Sequence, residues 1–362
     1  MMRGIVLIYF SCLGGWLRPH QELMLAADAQ TIAKLKRCDF GGIYQSERSY
    51  PGNLFFVPDD CLLADEAQSL GIRGSGDLYG GVVPHPFVKT KSITHPLVAD
   101  DAARPAGWSR SFGEQVRDVV LRGYTAFSVR DARVAATRLL ARGSLRVKPP
   151  LGSGGRGQTR IDTLHELDPW LDQLSPNDIA TYGLVLEENL DRVTTRSVGH
   201  VTVDDLTMAY HGKQRRTTDN NGRSVYGGSD LICVRGSWAE LGELAAAREV
   251  RDAVDKAKVY DDARRAYPGL FASRRNYDIG EGLDATGRWR SGVLEASWRV
   301  GGATGAEVLA LTAFMQDPSL HIVEVSHVEK SPRYVPLMAT HADASPTMRH
   351  VPSSRQQAPP VR

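Results

Sequence analysis

Residues 145–161, LRVKPPLGSGGRGQTRI, place two cations beside a run of glycines. The residues of this stretch that could bind a ligand are Lys148, Gly152, Ser153, Gly154, Gly155, Arg156 and Gly157. Glycines let the backbone take positive φ angles and approach a bound group closely. Exposed N–H groups in such a loop form a concavity for anions, above all phosphate, and the two cations would add positive charge. The stretch therefore predicts a nucleotide-phosphate site.

Three other interpretations compete for the same loop. Its glycine spacing, G-x-G-x-x-G, matches the dinucleotide fingerprint, but that motif opens a helix. The next residues, QTRI at 158–161, include β-branched side chains and show no helical spacing. A Walker-type loop would close with Lys-Ser or Lys-Thr, and neither is present. A flexible hairpin turn beside an exposed lysine is the third interpretation, and the loop alone does not exclude it.

A second group of candidate residues lies near the C-terminal end. Residues 275–279 and 292–302 read as two strands joined by a turn that contains glycine, which is typical of an antiparallel hairpin. Asp278 and Glu295 would then face one another across the hairpin. One or two carboxylates together with substrate phosphates are how proteins hold Mg²⁺. The alternative is that both acids form surface ion pairs with Arg275 or Arg290.

The elements that must position these residues alternate in type. Strands are predicted at 5–10, 53–57, 183–187 and 321–328, and strand-like alternation of a sheet edge at 197–210. Helices are predicted at 20–37, 62–70, 112–121, 128–140, 164–174 and 307–315, with one or two more at 238–267. A loop or an extended crossing segment is predicted at 80–97, and a polar loop at 211–228. Strand and helix alternate over the first 70 residues, which indicates a small α/β layer domain.

The apolar run near the N-terminus, residues 4–17, favours a buried first strand over a signal peptide. No small-x-small cleavage site follows it promptly, and the run is too short to span a bilayer. Of the 362 residues, 42% are hydrophobic and 24% charged, with a net charge of +2, which is typical of a globular protein. The charge balance gives no reason to expect nucleic acid or a membrane as partner. Four scattered cysteines favour neither a zinc knuckle nor a disulfide framework and suit a reducing cytoplasm.

In their order and spacing, the loop, an acidic hinge at 187–190 and the carboxylate hairpin resemble the ATP-grasp superfamily over about residues 112–310. The segments GGVVPHPFVKTKSITHPLV, GSGGRGQT and GVLEASWRVGG resemble, more narrowly, a bacterial family of unknown function related to ATP-grasp proteins. The resemblance implies an α/β (α+β) ATP-grasp fold. It also implies a small α/β pre-domain at 1–107 and an ATP-grasp domain at 108–330. The latter would comprise a lid subdomain at about 140–185 and a C-terminal subdomain at about 186–330, and 331–362 would be a disordered tail.

The resemblance also implies roles for single residues. Lys148 would contact the nucleotide phosphates, and residues 152–157 would form a lid over them. Glu187 or Glu188, Leu190 and the backbone of Leu186 would read adenine and ribose. Asp278, Glu295 and Ser297 would hold Mg²⁺, and Arg299 would hold an anionic acceptor. Lys213 is a further catalytic candidate that could approach that acceptor, although the resemblance itself gives it no role.

The chain departs from the superfamily pattern at two places. Ser297 stands where an asparagine ligand is common, and a hydroxyl is a poorer Mg²⁺ ligand than an amide carbonyl. An early phosphate-contacting lysine, expected near Gly113, has no lysine counterpart there, since Gln115 and Arg117 are nearest. Each departure could weaken metal binding or change the reaction.

These patterns predict a cytoplasmic ATP- and Mg²⁺-dependent ligase that activates a carboxylate as an acyl phosphate for attack by an amine or similar nucleophile. Its partners would be ATP and an unidentified small-molecule or peptide carboxylate. A homodimer is expected only because dimers are the commonest oligomers, and no residue pattern in the sequence indicates one. The rival hypotheses are a nucleotide-binding sensor or scaffold without catalysis, phosphorylation without ligation, and an exported binding module. Several further side chains could approach the acceptor: His85, Lys89, Lys91, His95, Arg215 and Arg216.

Overall fold

The computed structural model of the protein describes residues 4–12, 19–149, 151–152, 157–218, 224–328 and 347–350. Its helices are α1 (Pro19–Leu35), α2 (Ala64–Ser69), α3 (Arg110–Val116), α4 (Val129–Leu140), α5 (Leu164–Leu171), α6 (Pro176–Tyr182), α7 (Trp238–Leu244), α8 (Arg248–Ala263) and α9 (Thr304–Gln316). Its first strands are β1 (Ile5–Tyr9), β2 (Asp39–Ile43), β3 (Leu54–Pro58), β4 (Leu62–Leu63), β5 (Gly81–Val83), β6 (Gly123–Ala126), β7 (Leu145–Lys148), β8 (Thr159–Ile161) and β9 (Leu184–Glu188). The remaining strands are β10 (Asp191–Val203), β11 (Leu206–Thr218), β12 (Ser224–Arg235), β13 (Phe271–Ala272), β14 (Arg274–Leu283), β15 (Trp289–Ser297), β16 (Ile322–Val328) and β17 (Thr347–His350).

The N-terminal residues form a parallel sheet in the order β2-β1-β3. The centre of β1 is an unbroken apolar run because both faces of a central parallel strand are covered. The strands predicted at 5–10 and 53–57 are thus confirmed. The sequence analysis missed β2, DFGGI, which lacks an apolar pattern. A Cβ added at its Gly41 would lie 2.7 Å from Cδ2 of Leu7, so the glycine allows β2 to pack closely on β1.

The largest sheet is antiparallel and has the order β15-β14-β10-β11-β12-β16-β17. The prediction of a loop at 211–228 is wrong, because β11 continues to Thr218 and β12 begins at Ser224. Arg215 donates two hydrogen bonds of 2.6 Å to Asp230 on β12. The exposed side chains of Lys213, Arg215 and Arg216 account for the polar composition of this part of β11. Residues 197–203 and 206–210 are strand, as predicted, but they belong to two strands, β10 and β11, that lie inside the sheet and not at its edge.

A smaller antiparallel sheet has the order β6-β9-β7-β8. It contains the predicted hairpin, since β7 pairs with β8 on either side of the glycine-rich loop. The helix predicted at 128–140 is confirmed as α4, and Ser128 caps it, since its Oγ accepts from the backbone N–H of Asp131 at 3.1 Å. This sheet uses strands from residue 123 to 188, so it crosses the predicted limits of the lid subdomain. Those limits stay a prediction.

The segment at 80–97 packs between the small and the large sheet. It contains β5 and two 3₁₀ turns, Pro86–Lys89 and Lys91–Thr94. Its backbone joins the small sheet, since Pro96 O accepts from Thr125 N at 2.9 Å. Its second half is not a surface loop, since the side chains from residue 90 to 95 are buried, and the alternative of a crossing segment describes it better. Polar composition does not mean exposure here, because Thr90, Lys91 and Thr94 find hydrogen-bond partners inside the protein.

One apolar cluster joins the N-terminal sheet to the large sheet through α1 and α9. Within the described ranges, no helix combines the length and the apolar character needed to cross a membrane. Of the predicted disordered tail, 331–362, the structure describes only β17, which pairs with β16. The rest of that tail lies outside the described residues.

Candidate active site

Lys148 ends β7, immediately before the glycine-rich loop, and its side chain is buried. Its Nζ forms an ion pair with Oε1 of Glu187 on the neighbouring strand β9. Two charges removed from water are stable only when each finds a close partner. The pair fixes the position of the lysine at the base of the loop.

Glu187 has a second buried partner that the sequence analysis did not connect with it. Its Oε2 lies 3.1 Å from Nε2 of His95, which is fully buried. Burial by itself would raise the pKa of Glu187, but Lys148 and His95 lower it to about 2. Glu187 is therefore an ionised carboxylate that holds two side chains of the site in place.

Lys91 connects the loop to the carboxylate hairpin. It is 4% exposed, its Nζ lies 3.1 Å from Oε2 of Glu295, and it donates to the backbone oxygen of Gly152 at 2.6 Å. The sequence analysis considered Lys91 only for contact with an acceptor and looked for an early lysine near Gly113. The sequence does contain a signal for burial of this lysine. Apolar residues stand on both sides of it, Phe87 and Val88 before it and Ile93 after it, and all three are buried.

The predicted carboxylate hairpin is confirmed, and Asp278 on β14 pairs directly with Glu295 on β15. Asp278 Oδ1 accepts from Ser197 Oγ at 3.1 Å and lies 2.9 Å from the side-chain amide of Asn276. Burial and the charge of Glu295 raise the pKa of Asp278. Burial alone would also raise the pKa of Glu295. Nearby cations, of which Lys91 has the largest effect, nevertheless lower the pKa of Glu295 below its usual value. The predicted surface pairs with Arg275 and Arg290 do not engage these two acids.

Ser297 and Arg299 follow Glu295 on the same chain segment. The Oγ of Ser297 accepts from Nη1 of Arg274 at 3.3 Å. Arg299 is partly exposed, and its Nε lies 3.8 Å from Oδ1 of Asp60, whereas Oδ2 of Asp60 accepts from Lys89 at 2.6 Å. Two cations thus stand where the loop after β3 meets the hairpin, which suits an anionic acceptor.

The residues of the acidic hinge lie at the end of β9. Glu188 Oε1 accepts from the backbone N–H of Arg122 at 3.0 Å. Leu186 lies within β9 and is flanked by β6 and β7. Because both neighbours of a central strand draw on its backbone groups, Leu186 is not the open position that the sequence analysis expected for a base. β9 ends at Glu188, and Leu190 lies in the two-residue link between β9 and β10.

The remaining predicted residues lie at the loop and on β11. Gly157 has φ near 73°, the left-handed region that favours glycine, and Gly152 touches Lys91 as described. Ser153, Gly154, Gly155 and Arg156 lie outside the described residues. Lys213 is exposed, whereas its neighbour Gln214 donates to Ser197 Oγ at 3.1 Å, next to Asp278. Since successive strand side chains point to opposite faces, the structure places Lys213 away from the site.

These residues fit a nucleotide phosphate with a divalent cation. Two buried lysines meet beside an anion-binding type of loop, and two facing carboxylates supply hard oxygen ligands of the kind that Mg²⁺ takes. No three side chains of His, Cys, Asp or Glu cluster as metal ligands anywhere in the described ranges. A third protein ligand would therefore come from an amide or a hydroxyl.

Comparisons with known proteins agree with this geometry. A family model described as "Protein of unknown function (DUF3182)" matches residues 16–344. No curated protein matches the sequence. The crystal structure of D-alanine–D-alanine ligase from Bacillus anthracis is similar, with a TM-score of 0.50 and 13% identity over 86% of this chain and 97% of that chain. N5-carboxyaminoimidazole synthetase from Staphylococcus aureus, complexed with ADP, gives a TM-score of 0.45 and 12% identity over 90% of this chain and 82% of that chain.

The likeness to the D-alanine–D-alanine ligase extends over nearly the whole of that enzyme. At such low identity it concerns the fold alone. The chain therefore has the ATP-grasp fold, and the fold class predicted from the sequence is confirmed.

Proposed function

We propose, given that the chain belongs to the family described as "Protein of unknown function (DUF3182)" and has the ATP-grasp fold, that it is an ATP- and Mg²⁺-dependent ligase. The enzyme would activate a carboxylate as an acyl phosphate and join it to an amine or a similar nucleophile. Substrates cannot be read from the fold, since one fold hosts many reactions. The proposal therefore rests on the site.

The position of Lys91 is the observation that carries the proposal. One buried ammonium group touches both the glycine-rich loop, at Gly152, and the candidate metal ligand Glu295. A phosphate held by the loop and a cation held by Glu295 would lie on either side of it. Lys148, buried nearby at the base of the loop, adds a second positive charge. Preorganised charge of this kind stabilises a transferring phosphoryl group.

The chemistry follows from the charges that the chain provides. Arg299 and Lys89 would hold the acceptor, whose carboxylate oxygen attacks the γ-phosphorus of ATP, so that ADP leaves and an acyl phosphate forms. An amine then attacks the acyl carbon, phosphate leaves with the bonding electron pair, and the amine loses a proton. Mg²⁺, held by Asp278 and Glu295, would neutralise charge on the phosphates when bound. The lysines would hold the phosphates in line and exclude water.

A nucleotide-binding protein without catalysis is the second candidate. It is favoured by Ser297, whose hydroxyl already accepts from Arg274 and offers little to a metal ion. The missing early lysine no longer supports this candidate, since Lys91 supplies a cation beside the loop.

Calorimetric titration of Mg-ATP tests the nucleotide site. Lys91→Met, Lys148→Ala and Glu295→Ala should each weaken binding by more than about 10-fold, or about 1.4 kcal/mol. Lys213→Ala is the matched control, because this lysine is exposed on the opposite face, and its affinity should equal that of the wild type. Thermal melts accompany each variant, since Lys148→Ala leaves a buried carboxylate without its cation. Absence of heat with every nucleotide tested would overturn the proposal.

Trapping with hydroxylamine tests the reaction. An acyl phosphate reacts with hydroxylamine to give a hydroxamate, so a panel of carboxylates with Mg-ATP should yield a hydroxamate and ADP for the true acceptor. A stable phosphorylated product without hydroxamate would indicate phosphorylation without ligation. Tight Mg-ATP binding with no ADP formed across the panel would select the catalytically inactive candidate.

A further inference from the structure

We propose that the protein has a second ligand site, which binds a phosphate group, either as the free ion or as part of a small phosphomonoester. The site is a cavity of about 310 Å³ between the turn after α4, the end of β9 and the turn that joins β14 to β15. We call it the hinge cavity. Its volume is at the lower end of small-molecule sites. None of the side chains that the proposed reaction uses lines it.

The hinge cavity lies on the reverse of the sheet that carries the candidate phosphate lysine. Glu188 lines the cavity, and it follows Glu187 on β9, so the two side chains point to opposite faces. The face of Glu187 carries Lys148, with which it forms an ion pair. The other face packs on α4 in one apolar cluster with Leu186 and Leu139, and Leu139 also lines the cavity. The two sites are therefore separate.

Four arginines line the hinge cavity, two from the small-sheet side and two from the β14–β15 hairpin. They are Arg122 and Arg142 on the first side, and Arg288 and Arg290 on the second. Two of the lining residues are acidic, Glu188 and Asp284. The guanidinium groups thus exceed the carboxylates by two charges. A phosphate monoester carries about −1.5 to −2 at pH 7, so its charge matches this excess.

The ion pairs inside the hinge cavity are long. Nη1 of Arg122 lies 3.6 Å from Oε2 of Glu188. Nε of Arg290 lies 3.6 Å from Oε1 of Glu188 and equally far from Oδ2 of Asp284. Hydrogen bonds between charged nitrogen and oxygen groups are about 2.7–2.9 Å long. Both guanidinium groups therefore keep donors that a phosphate could engage at shorter distance.

The other two arginines stand on opposite walls that touch each other. A Cβ at Gly143, which has φ near 148°, would overlap that of Ala285 on the β14–β15 turn. Arg142 precedes this glycine, and Arg288 ends the same turn as Ala285. Both arginines are exposed, and within the part of the chain that the structure describes neither joins an ion pair. The planar fork of arginine suits phosphate oxygens, so one phosphate would bridge the two walls.

The hinge connects this cavity with the nucleotide site. Asn189 lines the cavity, and its Oδ1 accepts from Nη2 of Arg146 at 2.7 Å. Arg146 lies two residues before Lys148 on β7 and shares its face. In this arrangement of the two sheets, Lys91 already joins the glycine-rich loop to Glu295. A phosphate that bridges the walls would stabilise the same arrangement, so it should raise the affinity for Mg-ATP. This effect, unlike the site, rests on the proposed function.

Calorimetric titration of inorganic phosphate and, separately, of phenyl phosphate tests the site. The protein is first saturated with Mg²⁺ and a non-hydrolysable ATP analogue, which occupies the glycine-rich loop. Arg142→Ala and Arg288→Ala should each weaken binding by about 10-fold or more, since each removes hydrogen bonds to a charged group. Arg130→Ala is the matched control, because this exposed arginine of α4 does not line the cavity, and its affinity should equal that of the wild type.

The two probes distinguish the sources of the phosphate group. Tighter binding of phenyl phosphate identifies an ester as the ligand, and equal binding identifies the free ion, and either result supports the site. The inference is wrong if neither probe binds the wild type. It is equally wrong if Arg142→Ala and Arg288→Ala bind both probes as tightly as Arg130→Ala does. Thermal melts of all three variants should match the wild type, since each substitution changes an exposed side chain.

Titration of the ATP analogue with and without saturating phosphate tests the coupling. Phosphate should raise the affinity by about 5-fold or more in the wild type and in Arg130→Ala, but not in Arg288→Ala. An affinity that phosphate lowers in every variant would indicate competition at the glycine-rich loop and would overturn the coupling. If the wild type binds no nucleotide, the proposed function fails, and titration of phosphate alone into the wild type and Arg288→Ala still decides the site.

Discussion

Replacing Glu307 with glutamine should destabilise the protein far more than the loss of one surface charge. Arg274 and Glu307 are 1% and 0% exposed, and Glu307 also accepts from Tyr79 at 2.7 Å and from Tyr210. Burial by itself would lower the pKa of Arg274, but Glu307 raises it well above its usual value. The guanidinium stays charged in Glu307→Gln and has no anionic partner. Breaking a buried pair in this way costs about 3–5 kcal/mol.

This cost translates into a measurable shift in melting temperature. An unfolding entropy of about 2.1 cal/mol/K per residue gives about 0.8 kcal/mol/K for the 362 residues. A loss of about 3–5 kcal/mol therefore lowers Tm by roughly 4–7 °C if the chain unfolds in one step, and by more if the large sheet unfolds alone. Differential scanning calorimetry measures the shift, and urea unfolding at 25 °C measures the free energy directly.

The matched control is Asp168→Asn, which removes one charge from a pair of 2.8 Å with Arg133 whose side chains are about half exposed. Exposed pairs contribute about 0–1 kcal/mol, so its Tm should move by about 1 °C or less. A Glu307→Gln variant that melts within about 1 °C of the wild type would refute the reasoning. It would mean that the buried network tolerates an unpaired guanidinium.

Three further predictions concern pH and close packing. The pKa of Glu187 is lowered to about 2 from 4.5, so its stabilising contribution, about 3 kcal/mol, is present above pH 4.5 and is lost as the pH falls towards 2; urea unfolding of Glu187→Gln should lack this dependence. Burial raises the pKa of Asp59 from 3.8 to about 6. The contribution of this group to the stability of the protein is therefore fully present below pH 3.8 and is lost as the pH rises through 6. Asp59→Asn should therefore be more stable than the wild type at pH 8, by about 1–3 kcal/mol, and equal stabilities at pH 8 would contradict this. Gly199→Ala should destabilise the protein by about 1–3 kcal/mol, measured by urea unfolding, because its Cβ meets the Tyr210 ring. The control Gly242→Ala, where a Cβ meets nothing within 4 Å in α7, should stabilise the protein by about 0.5–1 kcal/mol.

The sequence by itself was sufficient for the features that depend on neighbours in the chain. A strand, a glycine-rich turn and a second strand predict the β7–β8 hairpin, because turn chemistry and β-propensity act locally. The same reasoning placed Asp278 opposite Glu295, since a short hairpin fixes its own register. The apolar run of β1 predicted a buried strand without any knowledge of what covers it. The order of these motifs also led to the ATP-grasp fold.

Only the tertiary structure showed that Lys91 and His95 belong to the site. Lys91 meets Glu295 from a position about two hundred residues earlier in the chain, and no local pattern records such a contact. The polar segment around them resembled a surface loop, because the sequence alone does not distinguish a buried polar residue from an exposed one. The same ambiguity hid the β11–β12 hairpin. Which polar residues are buried depends on the partners that the folded chain brings to them.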